Sequence, residues 1–203
     1  MIAQNRKSIL FLGKKKKNFF LFIKKKKLRL IHCNSKISLK KLDTFGDIDF
    51  IISFNYPYIV NDEIINKFKD RIINCHISYL PWNRGADPNF WSHFDQTPKG
   101  VTIHRISKKI KSGNILIQKK VFFNCNLTLK KSYKILNDKL EKLLIQNFVK
   151  ILNKKIKSKK QYGDGTLHFK KDKYKFFKLL KNGYNTKIKN IVALGKMNDK
   201  NKE

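Results

Sequence analysis

An open α/β sheet, mostly parallel and flanked by helices, is the fold class that this sequence predicts, and three observations point to it. Short apolar runs rich in β-branched and aromatic residues recur at 8–13, 50–54 and 72–76. Segments whose apolar residues repeat at helical spacing lie between them. Strands that alternate with helical segments pair in parallel through right-handed crossovers, because a tight hairpin cannot join parallel neighbours.

Residues 8–13 (SILFLG) form an almost unbroken apolar run closed by glycine, as expected of a strand buried on both faces. A helix follows within 14–26, where Phe19, Phe20 and Ile23 share a side, and then a strand over 28–32. The next strand is 50–54. Asn61 is a candidate N-cap for a helix with Ile64, Ile65 and Phe68 on its apolar side, leading to a strand over 72–76. Pro81, Gly85 and Pro88 make the following stretch a loop, with a short helix from Pro88 whose Trp91 reads as core. Residues 100–106 and 115–121 return to strand character, and a long helix is expected over 127–156, beginning near Thr128. Lysines with Gly163 and Gly165 mark 157–172 as irregular; a short aromatic helix is expected over 174–180, and disorder from about Met197. The chain is thus expected to be one domain over 1–203, with its core over about 8–150 and a basic extension over about 157–203.

Composition narrows the function classes. With 41% hydrophobic and 12% aromatic residues the chain has enough apolar material to fold despite 30% charged residues. No apolar run approaches the ~20 residues of a membrane helix, so no membrane insertion is expected. Cys33, Cys75 and Cys125 are widely spaced and form no C-x-x-C pair, which fits a reducing, cytoplasmic setting. The net charge of +33 favours non-specific binding to polyanions and phosphorylated molecules. A dedicated nucleic-acid-binding protein is the weaker reading: Arg6, Arg29, Arg71, Arg84 and Arg105 are the only arginines, whereas phosphate and base recognition favour the guanidinium fork.

Chemistry concentrates at the end of the 72–76 strand. Side chains alternate across a strand, so Asn74 and His76 project to one side and Cys75 to the other, into packing. An amide and an imidazole side by side can hydrogen-bond a carbonyl oxygen that becomes negative in a tetrahedral intermediate, which makes acyl transfer the natural reaction class. His32, His93, His104 and His168 lack a carboxylate or cysteine cluster at metal-ligand spacing, so no metal site is expected; His168 falls in the basic tail.

From Asn74 to Trp91 the chain reads NCHISYLPWNRGADPNFW, followed by GVTIH at 100–104 and SGNILIQ at 112–118. This order and spacing resemble the folate-dependent formyltransferases, the family of methionyl-tRNA, glycinamide ribonucleotide and sugar-amine N-formyltransferases. The resemblance implies the family's Rossmann-like catalytic domain and transfer of formyl from 10-formyltetrahydrofolate, as donor, to a primary amine. It gives Asn74 and His76 the developing oxyanion, and gives Ser78, Tyr79, Leu80 and Pro81 contact with the folate, with 54–58 as an opposite wall. Arg84 and Gly85 match the family's Arg-Gly step, placed to bind the acceptor. Arg84-Gly85-x-x-Pro88 followed by Trp91 looks closer to the sugar-amine members, so the implied acceptor is a small-molecule amine, phosphorylated or nucleotide-linked. The second domain of methionyl-tRNA formyltransferase has no counterpart in the sequence.

One position departs from the pattern. The family carries an aspartate two residues before the glycine matched by Gly113, and Lys111 stands there. An ammonium beside an imidazole disfavours its charged form and cannot accept the amine's proton. Lys111 therefore raises an alternative, a formyltransferase fold that binds folate or an anionic acceptor but turns over weakly or not at all.

Overall fold

The structure is a computed structural model and describes residues 6–108 and 112–200. The chain runs β1 (Ser8–Gly13), α1 (Lys17–Lys25), β2 (Arg29–Cys33), α2 (Leu39–Asp43), β3 (Phe50–Phe54), α3 (Asp62–Phe68) and β4 (Ile72–His76). After these come β5 (Arg84–Gly85), α4 (Pro88–Phe94), β6 (Gly100–Arg105), β7 (Ile115–Lys120) and α5 (Leu129–Leu152). The last elements are β8 (Leu167–His168), α6 (Tyr174–Phe177) and α7 (Ile188–Lys200). A six-stranded sheet in the order β2-β1-β3-β4-β6-β7 is the centre of the molecule, and β5 pairs with β8 as a separate ribbon.

The first four strands of the sheet pair in parallel, while β6 runs antiparallel to both β4 and β7. The sheet is therefore mixed but mostly parallel, as the sequence indicates; strand composition does not encode direction, and the β6 and β7 polarity follows from their connections. Every residue of β1 and β3 is buried, which explains their uninterrupted apolar sequence: helices cover both faces.

One face of the sheet carries the larger apolar core. Ile9, Phe11, Ile52, Phe54, Ile73, Cys75, Val101 and Ile103 pack there against Phe19 and Ile23 of α1 and Leu136, Leu140, Leu144 and Phe148 of α5. The stripe on α5 has the spacing of one helix side, and Thr128 caps it by accepting from the Lys131 amide. The opposite face is apolar only in part: Leu10, Leu12, Ile51 and Ile72 meet Ile64, Ile65 and Phe68 of α3 and Leu42 of α2. Asn61 caps α3 through the Ile64 amide, as its position before the apolar spacing predicts.

Two expectations for the C-terminal part are corrected. Met197 lies inside α7, which continues to Lys200, so disorder from that point does not hold. Ile191 of α7 is fully buried with Phe90, Trp91 and Phe94 of α4, so tertiary contact stabilises a helix whose lysines and asparagines obscure its pattern. The aromatic helix is also shorter than 174–180, ending at Phe177, and the 157–172 segment contains β8.

Candidate active site at the polar row of the sheet

Beyond α3 the second sheet face changes character. In register across β3, β4 and β6 lie Ser53, Asn74 and His104, a polar row that continues past His76 and Thr102 at the end of the face away from α3. This row floors a cavity of about 480 Å³, a ligand-sized volume. Tyr56, Pro57 and Tyr58, on the loop after β3, form one wall. Gly85 and Ala86 with His168 to Lys170 form another, and Ile106 to Lys108 close the rim. Lys108 and Lys170 make the opening positive and suited to an anionic ligand.

Asn74 Nδ2 donates to His104 Nε2 at 3.1 Å, and His104 Nδ1 donates to the Arg105 carbonyl at 2.7 Å. An amide nitrogen can only donate, so His104 holds its proton on Nδ1 and the Asn74 amide is oriented by it. His76 projects to the same face, but its buried ring is turned beneath the following loop, where Nε2 donates to the Asn83 carbonyl at 3.1 Å. The two imidazoles stand 6.4 Å apart at 80°. Cys75 points into the opposite core, and burial pushes its thiol far above the ordinary range, which removes it as a nucleophile.

The 78–81 loop is pinned rather than open. Thr102 Oγ1 donates to the Ser78 carbonyl (2.7 Å) and accepts from the Leu80 amide (3.3 Å) and Gln118 Nε2 (3.1 Å). Gln118 Nε2 also donates to the Leu80 carbonyl (2.7 Å), and Ser78 Oγ donates to the Trp82 carbonyl. Lys120 sits over the Tyr79 ring, and Leu80–Pro81 is a cis peptide. None of Ser78, Tyr79, Leu80 and Pro81 lines the cavity; the loop fixes the end of β4 instead.

The Arg-Gly step is bound to the C-terminal segment. Arg84 N donates to the Thr166 carbonyl, Ala86 N to the His168 carbonyl (both 2.8 Å), and the Arg84 guanidinium to the Asp164 carbonyl. Gly85 has φ +87°, and a Cβ there would lie 2.0 Å from the His168 carbonyl oxygen, so β8 can approach only glycine. Gly165 is required likewise, since its Cβ would lie 2.1 Å from the Pro81 carbonyl oxygen. The basic segment after residue 157 thus builds a wall of the site. Lys111 lies outside the described residues; the segment holding it begins and ends at Ser107 and Ser112, whose hydroxyls are 3.0 Å apart.

A second cavity of about 590 Å³ lies beyond Ile77, between Asp87, Pro88 and Phe90 on one side and Leu129, Tyr133 and Tyr184 on the other. Lys173 Nζ donates to Asp87 Oδ1 (2.7 Å) and Tyr184 Oη (3.2 Å) beside it. Burial opposes the Lys173 charge, but these two hydrogen bonds outweigh it and raise the ammonium's pKa.

Of the residues singled out in the sequence, Asn74 and Gly85 line the cavity while His76 and Arg84 do not; His104 and His168 line it without having been assigned a role there. The alternation in GVTIHR does set Thr102 and His104 on one side. That this side meets Asn74 depends on the β4–β6 register, which the sequence does not display.

Comparison with known proteins agrees with this arrangement. A family model described as formyl transferase matches residues 13–148. The crystal structure of the formyltransferase PseJ from Anoxybacillus kamchatkensis, in complex with UDP-4,6-dideoxy-4-formamido-L-AltNAc and tetrahydrofolate, is 38% identical. It superposes with a TM-score of 0.88 over 93% of this chain and 99% of that one. The bifunctional polymyxin resistance protein ArnA of Wigglesworthia glossinidia brevipalpis is 34% identical over 125 residues, 58% of this chain and 19% of that protein. Methionyl-tRNA formyltransferase of Finegoldia magna is 28% identical over 117 residues, 57% of this chain and 35% of that protein. The chain therefore spans well under two thirds of the length of these two relatives. With a family match over more than half of its residues, the chain belongs to the formyltransferase family.

Proposed function

We propose that this protein is an N-formyltransferase that moves formyl from 10-formyltetrahydrofolate to the primary amine of a nucleotide-linked amino sugar. The observation that carries the reading is the Asn74–His104 pair on the floor of a ligand-sized cavity, with His76 two residues along the strand from Asn74. A donor amide fixed by its neighbour needs no reorganisation as negative charge grows on the formyl oxygen, the condition for electrostatic stabilisation of a tetrahedral intermediate. The aromatic wall of Tyr56 and Tyr58 suits a planar heterocycle, and Lys108 and Lys170 suit the folate's carboxylates.

The acceptor class is supported by the likeness to PseJ, whose complex holds a UDP-linked formamido sugar, and by a net charge of +33 that favours a diphosphate. The second cavity, flanked by Tyr133, Tyr184 and Lys130, offers room for the nucleotide. A second reading is favoured by Lys111 at the family's aspartate position: a chain that binds folate and acceptor without turnover.

Titration of the protein with 10-formyltetrahydrofolate, followed by addition of UDP- and dTDP-linked amino sugars and of methionyl-tRNA, tests the proposal. Formylation of a sugar nucleotide, lost in Asn74→Ala, is the expected result. Folate binding with no formylated acceptor would leave the second reading, and formylation of the tRNA alone would replace the acceptor.

A further inference from the structure

The family's usual carboxylate is absent at position 111, so the proton lost by the attacking amine needs another acceptor, and one imidazole on the cavity wall is built like a base. His168 lines the same cavity as Asn74 and His104. Its Nε2 is 2.7 Å from Asp95 Oδ2 at the end of α4. Its ring lies flat on the Trp91 indole, centroids 3.9 Å apart and planes 4° apart. Trp91 is itself buried, so this stack is a fixed platform. The backbone is held as well: the His168 carbonyl accepts from Ala86 N, and Gly85 leaves room for β8 to approach.

A carboxylate bonded to one ring nitrogen and a stacked indole beneath the ring are costly to arrange for a surface histidine in a basic segment. Together they fix the tautomer with the proton on Nε2 and leave the lone pair on Nδ1. Among the described residues, no hydrogen bond uses Nδ1. The side chain is 18% exposed and the residue lines the cavity.

Resting on the formyltransferase reading, we propose that His168 is the general base of this protein, with Asp95 as its positioning residue. The amine lone pair attacks the formyl carbon, and the carbonyl π pair moves onto the oxygen, stabilised by the Asn74 amide. His168 Nδ1 takes one proton from the attacking nitrogen. When the oxygen pair re-forms the carbonyl, the bond from the formyl carbon to folate N10 breaks with its electrons, and N10 receives a proton. Products are the formamide and tetrahydrofolate, with His168 returned to neutral. Charged groups that face this site are Asp95 just after α4, Lys170 and Asp172 just after β8, and Lys108 on the opposite rim.

The test is steady-state formyl transfer by the intact protein and by His168→Gln, His168→Ala and Asp95→Asn, with folate affinity measured for each. The expected result is a kcat lower by about 100-fold or more in both His168 variants, with the acceptor KM and folate affinity within about threefold. Added imidazole restores part of kcat in His168→Ala, a gain that a structural role would not produce. Asp95→Asn, which keeps the stack and the shape, falls about tenfold or more in kcat. His168→Gln within twofold of the unmodified protein, or a His168→Ala loss that imidazole leaves unchanged, overturns the inference and leaves the formyltransferase reading intact. Absence of turnover in the unmodified protein removes both. Should His168→Ala fail to fold, kcat in Asp95→Asn decides: an unchanged value overturns the inference.

Discussion

Asn74 and His104 occupy directly opposed positions on β4 and β6, and the hydrogen bond between their side chains, 3.1 Å long, aims an amide into a cavity that the rest of the sheet face does not have. The pair has separable roles. Asn74→Ala removes the proposed donor to the developing oxyanion, and kcat is expected to fall about 10²–10³-fold with folate affinity nearly unchanged. His104→Leu removes only the group that orients it and is expected to cost on the order of tenfold to a hundredfold in kcat. His104→Gln, which can still accept from the Asn74 amide, recovers part of that loss. Single-turnover kinetics on the three variants separates the two roles.

Thr102 is the buried post that holds the 78–81 loop. Its hydroxyl serves the Ser78 carbonyl, the Leu80 amide and Gln118 at once. Thr102→Val keeps the shape but leaves buried backbone groups short of partners, and is expected to destabilise the fold by about 1–3 kcal/mol. Chemical denaturation of Thr102→Val against Thr102→Ser, which retains the hydroxyl, checks this.

His93 is almost fully buried on α4 next to the Phe123 ring, and burial, with a smaller push from Lys99, lowers its pKa to about 3. The unfolded chain binds a proton at this residue near pH 6.5. The folded state therefore keeps its full stability above that pH and loses it as pH falls from about 6.5 toward 3, by about 1.4 kcal/mol per pH unit at most. Denaturation midpoints of His93→Phe, measured from pH 7 to 4.5, are expected to fall less steeply than those of the unmodified protein.

Gly85→Ala sets a methyl against the His168 carbonyl at a backbone conformation that L-residues rarely adopt. The expected outcome is a destabilisation of about 1–3 kcal/mol, with faster proteolysis of the 157–170 segment. A variant as stable and as protease-resistant as the unmodified chain would contradict the account of β8 as a wall of the site.

How much of this was legible depends on where each element draws its stability. Strands β1, β3 and β4 carry their burial in their own residues, so runs such as SILFLG and FIISF give both type and bounds. Asn61 and Thr128 announce their helices because capping is local. Helix α7 does not, since its order comes from packing Ile191 against α4, about a hundred residues earlier. The same distinction applies to the site. Asn74 and His76 share one strand and one alternation, and could be read together. His104 reaches Asn74 through strand register, and His168 reaches Asp95 across 73 positions of chain. Neither link leaves a trace in local spacing.

The central claim is that the unmodified chain, lysine at 111 included, transfers formyl. The most direct test is incubation with 10-formyltetrahydrofolate and a UDP-linked amino sugar, with the formamido sugar and tetrahydrofolate detected together by mass spectrometry, alongside Lys111→Asp. The account predicts stoichiometric formation of both products by the unmodified protein. Folate bound without product, and turnover appearing only in Lys111→Asp, would contradict it.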